Sequence, residues 1–193
     1  KQQRKATLTG INTNIRGGID YFFTDKSVLT GAYLFSKSKG NRITNFRYED
    51  FLWGTYLGYS LRQQDEDETE PKSQYTLTYK KTFTRKGHEL TANVLFLDNW
   101  ERSDQVFTQN TFSPAGAEIA QLAVVQHALN DEYEKQYLAQ IDYSQPFGKA
   151  GKFEIGARSN FRDMVNDYLV TQQTVDNQWV ALRGLDNYFV YNE

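Results

Sequence analysis

The chain has 193 residues, 22 Lys and Arg against 24 Asp and Glu for a net charge of −2, no cysteine and only two histidines, His88 and His127. These figures exclude the broad positive field that nucleic-acid binding needs, a disulfide framework, a thiol nucleophile, and a metal site built from cysteines or many histidines. Aromatics reach 15%, as 13 Tyr, 13 Phe and 3 Trp, which favours strands; no apolar run approaches the roughly 18 residues of a membrane helix, but a spanning β-strand needs only about 9–11 residues, so hydropathy is blind to a barrel.

The N-terminal Lys1 to Ala6 is basic and runs straight into Thr7 and Leu8 with no apolar segment or cleavage site, so the sequence reads as starting mature or within a longer chain. From Ile15 to Phe23 the odd positions are apolar, aromatic or glycine, with Arg16, Gly18 and Asp20 between them. Period two means strand. After Thr24-Asp25-Lys26-Ser27, Leu29, Gly31, Tyr33 and Phe35 line one face and Thr30, Ala32, Leu34 and Ser36 the other, completing a hairpin. The same pattern returns where Tyr75, Leu77 and Tyr79 alternate with Thr76, Thr78 and Lys80. A turn over residues 84–88 then leads into Leu90, Ala92, Val94 and Phe96. It returns again with Tyr137, Ala139, Ile141 and Tyr143, a turn over residues 146–152, and Phe153, Ile155 and Ala157.

The tight turns fall near residues 25, 86 and 149, and the stretches between them, about 38–72, 110–131 and 173–185, are long and polar. A sandwich has turn signals every 8–12 residues, whereas an outer-membrane barrel alternates short periplasmic turns with long extracellular loops. Tyr21, Phe23, Tyr79, Phe83, Tyr143, Phe147 and Phe153 lie beside the short turns, as an aromatic girdle at a membrane interface would. The opposite face carries Arg16, Asp20, Lys80, Asn93, Gln140, Asp142, Glu154, Arg158 and Arg162, too polar for a packed soluble interior and suited to a wet lumen. The solvated side of a one-sided sheet alternates in the same way, and alternation alone does not separate the two.

No nucleophile elbow, metalloprotease helix, phosphate-binding loop or dinucleotide fingerprint is present, so the expectation is a protein that is not an enzyme and takes no cofactor or metal. The acidic run Asp65 to Glu68 with Glu70 lacks the spacing of a calcium loop and reads as a solvated loop. Residues 117–129 read as a short helix within a loop. Binding candidates are the aromatics of the long connections: Phe46, Tyr48, Phe51 and Trp53 in the first, Trp100 with Arg102 and Phe107 near the second, and Trp179 in the third. Their faces stack on sugars or large planar ligands, and Arg adds charge pairing.

The segments Tyr75 to Asn93 and Gln140 to Gly148 resemble the outer-membrane β-barrel domain of TonB-dependent receptor-like proteins of the Bacteroidota. The family pattern of a strand, a Lys/Gly turn and an L-T-A-type strand falls on Lys86, Gly87 and Leu90-Thr91-Ala92. Its D-Y-x-x-P turn falls on Asp142, Tyr143 and Pro146, and the strand that follows on Gly156-Ala157-Arg158. Gly18 to Tyr21 with Asp25 and Lys26 looks like the same pattern, so the likeness spans nearly the whole chain. Such receptors carry a plug domain and a barrel of about 22 strands; here there is no plug, no energy-coupling box and only about six or seven strands.

The resemblance therefore implies an all-β, antiparallel up-and-down meander: residues 1–193 as part of a transmembrane barrel with long extracellular loops, in the cell outer membrane. It implies energy-coupled uptake of siderophore, glycan or peptide cargo. The partners would be outer-membrane lipid, that cargo, and an energy-coupling protein reached through other parts of the parent chain. The alternative expectation is a soluble β-sheet module for carbohydrate binding or adhesion.

Overall fold

The computed structural model describes residues 1–193. Eight strands make one sheet: β1 (Gln2–Thr24), β2 (Ser27–Leu52), β3 (Thr55–Thr82), β4 (Glu89–Phe112), β5 (Val124–Phe147), β6 (Gly151–Gln173), β7 (Trp179–Ala181) and β8 (Asn187–Asn192). Each of the first six pairs antiparallel with its sequence neighbour. β7 and β8 lie in line on the remaining edge of β6, joined by a short detour in which the Val170 amide donates to Asp186. The result is an all-β antiparallel up-and-down meander; the sheet is open, with the outer edge of β1 unpaired.

Register assigns the two faces. On the outer face Ile15 pairs with Phe35, which pairs with Ser73, and Gly17–Tyr33–Tyr75–Phe96–Tyr137–Phe161 form a row across all six long strands. Below it Ile19, Gly31, Leu77, Val94, Ala139 and Ser159 form another. Stacked neighbours tie the row together, Tyr33 to Tyr75 at 4.8 Å, Tyr75 to Phe96 at 6.0 Å and Phe96 to Tyr137 at 4.9 Å between ring centroids. Most of these residues are exposed, Ile19 at 78% and Phe161 at 62%.

The inner face holds most of what little is buried. Thr44, Ser60, Glu66, Leu97, Asn99, Ser103, Ala128 and Val170 all project to that side. A water-soluble sheet buries its apolar face and wets its polar one; this sheet does the reverse, as the wall of a membrane barrel must.

The apolar band stops at a row of polar and charged residues, Ser73, Asp98, Lys135 and Asp163, yet the strands continue. A strand of 24 residues such as β4 extends about 80 Å at ~3.4 Å per residue, against an apolar band about 25 Å tall. The expected long loops are therefore corrected. Residues 38–72 form a continuous hairpin of β2 and β3 closed by Trp53-Gly54, and β4 and β5 take up half of 110–131, leaving residues 113–123 as the connection. The expected helix over 117–129 is one 3₁₀ turn, Ala120–Leu122, followed directly by β5. Both faces of these upper hairpins meet water, so no apolar alternation marks them and their composition matches that of a loop.

Both Trp53 and Gly54 have positive φ, 55° and 85°, the conformation that a two-residue hairpin turn of the right twist requires. Glycine adopts it freely; a bulky side chain does so at a cost. Trp53→Asn relieves that strain and raises the stability of the folded chain by about 1 kcal/mol, read as a higher denaturation midpoint. The faces are tested within one strand: Ile141→Lys, on the outer face, weakens folding into lipid vesicles by about 2–4 kcal/mol, while Gln140→Lys, one residue away and facing inward, changes it by less than about 1 kcal/mol.

Candidate functional site

The upper half of the inner face gathers polar and aromatic side chains from the six long strands. Glu66, 8% exposed, accepts hydrogen bonds from Ser103 Oγ at 2.9 Å, Gln105 Nε2 at 3.1 Å and Gln64 Nε2 at 3.3 Å, with Arg42 3.7 Å away. Donors placed around a shielded carboxylate in this way offset the loss of its contacts with water. One step further up, the Arg62 guanidinium lies 4.4 Å from the Phe107 ring centroid and donates to Gln126 Oε1 at 3.1 Å and Gln109 Oε1 at 3.4 Å. Gln126 in turn donates to Gln172 at 3.1 Å, carrying the network on to β6. Across from Arg62 in register is Phe46, stacked on Tyr48 at 5.9 Å, with Arg4 over its ring.

Below this, just above the apolar band, lie Glu68 and Glu70 on β3, Glu101 on β4 and Glu132 on β5. Pairing between β3 and β4 lapses here, between Thr69–Arg102 and Lys72–Asn99, where Pro71 has no amide hydrogen to give. Partial burial, and then the charges of Glu68, Glu132, Glu70 and Glu66, raise the Glu101 carboxyl above its ordinary 4.5. The acidic run read as a loop is thus a strand segment. Alternation sends Glu66, Glu68 and Glu70 inward and Asp65 and Asp67 outward, where Asn41 Nδ2 donates to both at 2.7 Å and 3.2 Å.

The structure divides the sequence candidates rather than uniting them. Phe46 and Tyr48 face inward beside Arg62 and Phe107. Trp100 and Arg102 lie on the outer face of β4, Trp100 against Tyr133 at 6.3 Å and Arg102 Nε 3.9 Å from Asp131. Trp179, on β7, faces outward 6.1 Å from His127, whose Nε2 is 2.6 Å from Asp104. Phe51 packs on Tyr56 at 5.4 Å beside the turn, and Trp53 stands at its tip, 96% exposed. Trp100, Arg102 and Trp179 are placed on strands, not in loops. Sequence reasoning missed Arg62, Gln105, Gln126 and Glu66, since only the cross-strand register brings them together.

An antiparallel meander with apolar residues outside, polar ones inside and an aromatic rim beside its short turns defines the wall of an outer-membrane β-barrel. Residues 81–193 match the model of an outer membrane protein beta-barrel family, and the chain belongs to that family. It is therefore a protein of the cell outer membrane in contact with membrane lipid. The matched region starts at the end of β3, and the faces and register carry through residues 1–80 without a break. No curated protein matches the sequence significantly.

The raised Glu101 carboxyl has a pH consequence. A carboxyl whose folded value lies above its unfolded one stabilises the fold when protonated, and that contribution is lost as pH rises through the raised value. Glu101→Gln removes the charge, so at pH 7 the variant has the higher denaturation midpoint, and its advantage shrinks as the pH falls toward 4.5. Midpoints compared at pH 7 and pH 4.5 check this.

Proposed function

We propose that the chain is part of the barrel of a TonB-dependent receptor-type transporter, which takes up siderophore, glycan or peptide cargo with energy delivered through other parts of the parent protein. The observation that carries this reading is the inner face. A largely polar inner face, with Leu34, Leu95, Leu97 and Leu138 set among its polar side chains, runs from the membrane band into the tall hairpins, and its upper end presents the rings of Phe46, Tyr48 and Phe107 with Arg62 and three glutamines. Rings and guanidinium groups of this kind hold planar or sugar-like groups by stacking and fix them by hydrogen bonds. The likeness of the two hairpin segments to TonB-dependent receptors supports the same reading.

The chain itself acts as wall and contact surface, with no catalytic step and no cofactor. A soluble carbohydrate-binding or adhesion module would have to bury the outer-face residues Ile15, Tyr33, Leu77 and Phe161, and these stand exposed.

The test is uptake by cells carrying the parent protein, measured with labelled ferric siderophores, oligosaccharides and oligopeptides. Arg62→Ala combined with Phe107→Ala lowers uptake of one cargo class by about tenfold or more, as loss of a central anchor does, with surface amounts unchanged. Dissipating the proton gradient abolishes uptake in the unaltered protein. Uptake that persists without the gradient contradicts energy coupling, and uptake indifferent to the double variant contradicts the assigned surface.

A further inference from the structure

The three short turns differ in charge from the rest of the molecule. Residues 24–27, 83–88 and 148–150 carry Lys26, Arg85, Lys86 and Lys149 against one acid, Asp25. Lys81, at the foot of β3, faces outward and lies 5.1 Å from the Phe83 ring centroid. All five cations are exposed. None is within ion-pairing distance of a carboxylate, whereas the neighbouring inward lysines are both neutralised, Lys80 by Glu89 and Lys152 by Glu154.

The turns also form one surface. The Thr82 amide donates to the Lys26 carbonyl at 2.8 Å, and Lys26 Nζ reaches Thr84 Oγ1 at 3.5 Å, tying the first turn to the second. Arg85 donates to the Gly148 carbonyl and Ser144 Oγ to the Gly87 carbonyl at 3.0 Å, tying the second to the third. Directly above stand Tyr21, Phe23, Tyr79, Phe147 and Phe153, and within the second turn Phe83 stacks on His88 at 3.8 Å, with His88 Nε2 2.9 Å from the Tyr143 hydroxyl. Aromatic rings of this kind settle at the boundary between hydrocarbon and headgroups, so the cations below them sit at the depth of the lipid phosphates.

We propose that this rim is a docking surface for the headgroups of anionic phospholipids in the leaflet it faces. Charge complementarity carries the assignment. Ammonium and guanidinium groups without carboxylate partners are held at phosphate depth on a platform knit together by its own hydrogen bonds, and basic residues flanking a membrane segment attract anionic lipid by this means. Beyond the other margin of the apolar band the inner face bears the reverse charge, with Glu66, Glu68, Glu70, Glu101 and Glu132 along β3, β4 and β5. The chain is thus polar along its length, and its basic end is the one at the interface.

The experiment uses the full chain folded in neutral-detergent micelles containing equal amounts of phosphatidylglycerol and phosphatidylcholine, with retained lipids counted by native mass spectrometry. Phosphatidylglycerol is retained about fivefold over phosphatidylcholine, the scale expected of surface cations acting on anionic lipid. Lys81→Gln, Lys86→Gln and Lys149→Gln together bring the ratio close to one, while Lys37→Gln with Lys39→Gln, beyond the other margin of the band, leaves it unchanged. The single variants Lys86→Gln and Lys149→Gln, both in exposed turns, each lower the ratio part-way at an unaltered far-UV circular dichroism spectrum, which keeps the test independent of whether the triple variant folds. A ratio near one in the unaltered chain, or a preference that survives the single and triple changes, overturns the proposal.

Discussion

Hydrocarbon offers a backbone amide no water to bond with, and each unpaired group left there costs several kcal/mol. The rest of the structure follows from that constraint. Of 140 backbone hydrogen bonds, 125 lie within regular elements, and each of β2 to β5 is paired along nearly its full length on both edges. Once every strand is so paired, the remaining freedom is which side chains point outward, and there the apolar rows through Tyr33, Tyr75, Phe96 and Tyr137 take the lipid side. The polar residues have only the inner face left. A core in the usual sense is absent, with 10 of 193 residues buried and most of those polar.

The same ladder rises past the membrane margin at Ser73, Asp98, Lys135 and Asp163. What a loop-bearing barrel does with flexible segments, this chain does with two-sided hairpins. The surface around Glu66, Arg62 and Phe107 is consequently held by cross-strand register rather than by loop folding. A glycine marks how tightly the upper end is drawn together: Gly58 has φ of 133°, and a Cβ there would lie 2.3 Å from the Phe112 carbonyl oxygen, so β3 can close on β4 only through a residue without a side chain. Register also decides which acids interact, placing Glu101 among inward glutamates while its neighbours Trp100 and Arg102 face out.

The lower half of the molecule was legible in the sequence because one face is apolar there. Period two over Ile15–Phe23, Tyr75–Tyr79 and Tyr137–Tyr143 gave strand, face and turn together, and the turns fall where Asp25-Lys26, Lys86-Gly87 and Gly148-Lys149 placed them. The upper half was not legible, since a strand wetted on both faces has no reason to alternate. Arg42, Asn45, Gln63 and Asp65 read as loop, and the single turn signal, Trp53-Gly54, is half masked by a tryptophan where asparagine is usual. Residues 117–129 misled for a different reason: Ile119, Ala120, Ala123 and Val124 share a helical face in sequence, but β5 takes Val124 into its ladder with β4. The binding surface stayed hidden because Arg62 and Phe107, 45 positions apart, meet only through the pairing of β3 with β4.

The absence of native cysteine makes the central claim directly measurable. Single cysteines placed in turn from Tyr137 to Tyr143 and spin-labelled in lipid vesicles report collisions with oxygen, which partitions into hydrocarbon, and with a water-soluble nickel chelate. The account predicts strict alternation: labels at 137, 139, 141 and 143 favour oxygen, and those at 138, 140 and 142 favour nickel. Uniform access to nickel along the segment, or alternation of the opposite phase, would contradict a lipid-facing outer surface and with it the barrel wall.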